Sequence, residues 1–246
     1  MHHLFTAVEE DFSLVLGGPL YQAFRRAHLS GPALQLLSRR LWVIVGVAWL
    51  PLLVLSTAAG QAVGPPGTLA FFHDIEAQVR FLVALPVLIA AELVVHVRTR
   101  NVVRQFIDRE IVPPAEVPRF DAALASALRL RNSVALELGL VVLAATVGHW
   151  LWRSTIAYGA PSWYAAPAGG QMRLTAAGLW FAAVSLPITQ FILARWYLRL
   201  LIWFRFLWQV SRMNLHLVPT HPDRAAGLSF LGKSTYAFGP LLFAQG

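Results

Sequence analysis

Four ionisable residues, Glu92, His96, Glu137 and Arg195, stand inside stretches of otherwise almost unbroken apolar sequence. Glu92 lies six residues before Arg98 and Glu137 six after Arg131, so each carboxylate falls about 9 Å inside an Arg-rich boundary if both stretches are helical. His96 follows Glu92 by one helical turn and shares its face, and Arg195 enters from a later stretch at a similar level. Charge at such depth is costly. It marks either a proton or ion relay or a carboxylate–arginine pair that locks neighbouring helices together.

A second group is His221, Asp223 and Arg224, in the segment Thr220-His-Pro-Asp-Arg. Asp223 suits the N-cap of a helix starting near Arg224, with Pro222 stiffening the entry. The functional alternative is a site at the cytoplasmic face of a membrane-embedded enzyme or scaffold subunit. Just beyond, Gly227 to Ser234 matches G-x-x-x-x-G-K-[ST], the pattern in which backbone N–H groups cradle phosphate and a lysine neutralises it. That pattern needs a buried strand before it and a helix after it. Here a Pro-containing polar segment precedes and Gly239-Pro240 follows, so no nucleotide is expected. His73, Asp74 and His149 are scattered without ligand spacing; neither a metal nor a cofactor is expected.

These residues must be positioned by helices in lipid. The 246-residue chain is 57% hydrophobic and only 13% charged, about half the charge of an ordinary soluble domain. It has no cysteine, which excludes disulfides, zinc ribbons and thiol catalysis. Of its twenty basic residues nineteen are arginine, and the net charge is +8. These residues sit beside apolar runs, as membrane topology requires, and no nucleic-acid partner is expected.

Phe81–Val97, closed by Arg98, Arg100 and Arg104, shows the balance. Glu92 costs about 2.5–3.5 kcal/mol at a bilayer centre, while eleven strongly apolar side chains return about 3–7 kcal/mol. Insertion wins. Leu41–Ala59 is the first span, Phe81–Val97 the second, Val134–Trp152 the third, and the fourth begins at Leu174. Asp74 suits the N-cap of the second span, with Glu76 and Arg80 at the favourable i,i+4 spacing. A helix restarted by Pro118 can run directly into the third span. Arg195, Arg199, Arg205, Gln209 and Arg212 share one arc, so the fourth helix either projects beyond the membrane or bends along its surface, with Trp196, Trp203 and Trp208 at headgroup level.

Residues 1–40 form an N-terminal cytoplasmic or interfacial region. Two short helices begin near Gly18-Pro19 and Gly31-Pro32, the first with Leu20, Phe24 and Ala27 on one face and Arg25, Arg26 and His28 elsewhere. Residues 41–246 form the transmembrane domain. Turn-rich Gly60–Thr68 and the Gly-, Pro-, Tyr- and Trp-rich stretch from Arg153 to Arg173 are outer loops. Alternate loops hold seventeen basic residues against three, which places the N-terminus in the cytoplasm. The apolar run after Lys233 is too short to span before Gly246, as in a truncated chain. The expected fold is therefore an all-α polytopic transmembrane bundle of about four spans plus the start of a fifth, with amphipathic interfacial helices.

The segments DIEAQVRFLVALP (74–86), SALRLRNS (126–133) and RFLWQVSRMNLHLVPTHPDRAAGL (205–228) resemble an uncharacterised family of bacterial inner-membrane proteins sharing DIE-x-x-VRFL, LRLRNS and THPDR-x-GGL segments. Ala226 stands where that pattern has glycine. The resemblance implies a multi-pass protein of the bacterial inner membrane and no particular chemistry. A transport or channel-type component using Glu92, His96, Glu137 and Arg195 is the leading expectation. Its partners would be the lipid bilayer and further copies or other membrane subunits.

Overall fold

A computed structural model of the chain describes residues 12–26, 37–64, 67–148, 150 and 161–245. The helix expected near Gly31-Pro32, Pro65-Pro66, His149 and the loop around 151–160 lie outside the described residues. So do the side chains of Leu20, Phe24, Arg25 and Lys233, and with them the face expected for the first short helix.

The described chain is mostly helical. A short helix α1 (Pro19–Arg26) precedes α2 (Leu37–Ala58), α3 (Ile75–Asp108), α4 (Val117–Arg131), α5 (Val134–Gly148) and α6 (Ala176–Val210); α7 (Gly232–Ala237) and α8 (Gly239–Phe243) follow. Three of these, α2, α3 and α6, are long and apolar enough to cross a membrane, and α4 with α5 makes a fourth candidate if the bent pair counts as one span. Large apolar side chains such as Trp42, Val54, Leu138, Leu179 and Leu201 are more than half exposed along them, as lipid permits and water does not. These are the dimensions of a membrane protein.

Several boundaries differ from those expected. The expected second span is only the middle of α3, whose 34 residues cover about 50 Å, far more than a roughly 30 Å hydrocarbon core. Its start is as expected: the Asp74 side chain accepts the Ala77 N–H at 2.9 Å, and Glu76 pairs with Arg80. The helix restarted by Pro118 does not run straight on. It stops at Asn132, and α5 leaves at 45°, with Ser133 Oγ accepting the Leu136 N–H. The 35-residue α6 continues without a break to Val210.

The described part of the stretch expected as the second outer loop is not all loop. Strands β1 (Ala165–Ala168) and β2 (Gln171–Leu174) pair antiparallel, so the protein is not wholly α-helical. Gly169 and Gly170 turn the hairpin with φ of 62° and 77°, both left-handed, which matches the twist a two-residue turn must supply.

The described residues divide into two compact units. One comprises 37–64, 67–89, 137–148, 150 and 161–195, with a small tail at 244–245. Its core joins Val45, Ala48 and Leu52 of α2 to Phe71, Phe81, Trp163, Tyr164 and Phe181. Trp163 is central, with ring centroids 5.1–5.4 Å from Phe71, Tyr164 and Phe181. The other unit comprises 12–26, 90–136 and 196–243. Its aromatic chain runs Phe12, Phe206, Phe120, Phe106, Phe230, each ring within 6 Å of the next. Trp196 and Trp203 are 1% exposed in this unit and are not headgroup anchors; only Trp208, 140° round the helix from Trp203, is open at 59%.

Candidate functional site

The carboxylates within the long apolar helices are each paired with an arginine of α6. Arg199 Nη2 donates to Glu92 Oε1 at 2.6 Å, and both residues are buried. The guanidinium also lies over the Trp196 ring, 4.9 Å from its centroid, so charge, hydrogen bond and π-face hold it together. Arg195 instead meets Glu137, with Nη2 to Oε1 at 3.2 Å. Arg195 and Arg199 are one turn apart on the same face, and the later residue takes Glu92 while the earlier takes Glu137. The Glu92 pair belongs to one unit and the Glu137 pair to the other.

His96 Nδ1 lies 2.8 Å from Ser13 Oγ. Sequence reasoning missed Ser13, which sits in a non-helical stretch, Phe12 to Val15, buried almost completely. The stretch satisfies its own polar groups. Ser13 Oγ accepts the Val15 and Leu16 N–H groups, and the Arg131 guanidinium donates to the Ser13 carbonyl. Irregular backbone among apolar helices survives only where such partners enclose it.

The Thr220–Arg224 segment is a tight loop. Asp223 Oδ1 accepts the N–H groups of Ala225 (2.9 Å) and Gly227 (3.0 Å), and Oδ2 accepts that of Ser229 (3.1 Å). Loss of solvation works to raise its pKa, yet these backbone donors outweigh it and hold the carboxyl well below the usual range. His221 Nδ1 is 2.9 Å from Asp223 Oδ1. No helix starts near Arg224, contrary to expectation. Arg224, Ala226 and Gly227 have φ of 55°, 54° and 93°, and left-handed residues interrupt a right-handed helix. The next helical turn is the 3-10 segment Ser229–Leu231.

The same bonds remove the phosphate cradle. The N–H groups of Gly227 and Ser229, inside the glycine–lysine–serine pattern, already serve Asp223, and Ser234 Oγ donates to the Leu231 carbonyl at 2.6 Å. Asp74 is likewise committed, since its second oxygen accepts Trp163 Nε1–H at 2.9 Å. Among the described residues no three His, Asp or Glu side chains converge as metal ligands. A groove of about 470 Å³ lies between α6 and the short C-terminal helices. It is lined by Trp203, Phe204, Leu207, Phe238, Leu241 and Leu242 among others, a mostly apolar surface.

No family model, curated protein or solved structure matches the chain.

Proposed function

We propose that the chain is a multi-pass integral protein of the bacterial inner membrane, N-terminus in the cytoplasm, acting as a transport or channel-type component. The observation that carries this reading is the Glu92–Arg199 pair, buried within otherwise apolar helices. A buried pair commonly stabilises no better than well-packed apolar side chains of the same volume, so packing alone gives little reason to place charge there. Charge at such positions belongs with proton and ion pathways. The excess of arginine on alternate loops supports the orientation, and the location rests on the resemblance of residues 74–86, 126–133 and 205–228 to bacterial inner-membrane proteins.

Purified protein in liposomes carrying an internal pH-sensitive dye tests the reading. Wild type should dissipate an imposed proton or cation gradient, and Glu92→Gln should lose that flux while remaining assembled by size-exclusion chromatography. Absence of flux in wild type, or flux unchanged in Glu92→Gln, would leave the pair as a structural lock. The cytoplasmic-face enzyme reading is the weaker one, because the Asp223 carboxylate is occupied by its own loop.

A further inference from the structure

The helices α3 and α6 are built to one plan at a constant sequence offset. Each begins at a side-chain N-cap, Asp74 or Thr175. Five α-helical residues follow (Ile75–Val79, Ala176–Trp180), then a five-residue π-turn (Arg80–Ala84, Phe181–Ser185), then Leu-Pro (Leu85-Pro86, Leu186-Pro187). Arg98 and Arg104 correspond to Arg199 and Arg205 at the same offset. Burial repeats too: Ala84 and Leu85 are inside, as are Ser185 and Leu186, whereas Leu82 and Ala183 face outward.

The π-turn and the proline act on adjacent carbonyls. Leu85 N–H bonds to Arg80 O and Leu186 N–H to Phe181 O, so Phe81 and Ala182 lose the donor that an α-helix would give them. Pro86 and Pro187 have no N–H, which withdraws the regular donor from Leu82 and Ala183 as well. Two consecutive rungs of the ladder are missing at the same point of each helix. Such places are where helices bend.

The two weak points lie between two fastenings. Before them, both helix starts are tied to Trp163: its indole N–H donates to Asp74, and its carbonyl accepts from Thr175 Oγ1 at 2.7 Å. After them, Arg199 of one helix holds Glu92 of the other. Within the weak region itself Phe81 and Phe181 pack edge to face, with centroids 6.0 Å apart. A bend in one helix therefore pulls on the other.

We propose that Arg80–Pro86 and Phe181–Pro187 are matched hinges through which the two long helices bend together into a second conformation. This goes beyond the transport reading and holds whether or not a solute crosses.

Because the chain has no cysteine, spin labels can be placed pairwise on exposed positions. Ile75→Cys with Asp108→Cys brackets the first hinge, and Ala176→Cys with Ser211→Cys the second. Pulsed electron–electron distance measurements in lipid nanodiscs should give two distances for each pair. Pro86→Ala should abolish the shorter distance in both helices, and Pro187→Ala likewise. A single narrow distance in wild type would overturn the proposal, as would two distances indifferent to both substitutions or narrowing confined to the substituted helix. Hydrogen exchange on the wild-type chain covers the case in which an alanine variant fails to fold. Amides of Val87, Leu88, Ile188 and Thr189 should exchange faster than those one or two turns further along, and uniform protection would also sink it.

Discussion

Removing one member of a buried arginine–glutamate pair costs stability because the other charge loses its compensation. Arg199→Leu leaves the Glu92 charge without its partner from α6 and should cost about 3–5 kcal/mol, whereas Glu92→Leu combined with Arg199→Leu should recover most of that loss. Thermal unfolding of the three proteins in detergent checks the order. At Ala226 the backbone is left-handed, φ 54°, so Ala226→Gly should raise stability by about 1 kcal/mol in the same assay. Asp223 has its folded pKa depressed, so its contribution is complete above the ordinary carboxylate value near 4 and is lost as pH falls below that. Protection of the Ala225, Gly227 and Ser229 amides, corrected for intrinsic rate, should drop in that acid range, and Asp223→Asn should show the loss already at neutral pH. Glu92 and Glu137 were legible in the sequence because a carboxylate in an apolar run stands out. Their partners were less so, since Arg195 and Arg199 share a face and only geometry separates them. Ser13 carried no signal at all: a hydroxyl near an N-terminus has no periodicity to betray it.

At the scale of elements, helix starts could be read wherever a side chain performs the capping, as Asp74 does. Helix ends and breaks were harder. The stop at Asn132 is not marked by proline or glycine; its one local signal is Asn132-Ser133, two residues that favour caps over helix interiors. The hairpin at Gly169-Gly170 was not expected, because flanking Pro167 and the surrounding Ala and Gly obscure the alternation that identifies strands. Close approach also leaves no trace in composition. A Cβ on Gly178 would lie 2.0 Å from the Tyr164 carbonyl oxygen, backbone that cannot simply rotate away. Gly178→Ala should therefore destabilise by about 1–3 kcal/mol, whereas Gly46→Ala, with nothing within 4 Å, should be close to neutral or slightly stabilising in the same melt.

For the whole molecule, composition and pattern announced the membrane: few charges, long apolar runs and basic residues biased seventeen to three between alternate segments. The tally of loops predicts a side for each. Val63 is 68% exposed in the Gly60–Thr68 turn, so Val63→Cys in intact cells should react with a membrane-impermeant maleimide added outside. Labelling only after the cytoplasm is opened would reverse the whole orientation. What composition could not convey is depth of irregularity, since 57% apolar content describes a buried coil and a lipid-facing helix equally well.

The enclosed stretch at the beginning of the chain has a consequence for synthesis. Phe12 rests against Phe206 and the Ser13 carbonyl against Arg131, so the ribosome must reach Phe206 before the Phe12–Val15 stretch has its cover. Until α6 emerges, a greasy tetrapeptide waits uncovered on the nascent polypeptide. Chaperones and proteases would find it there, and a chain interrupted before Phe206 would carry the mark of its own incompleteness.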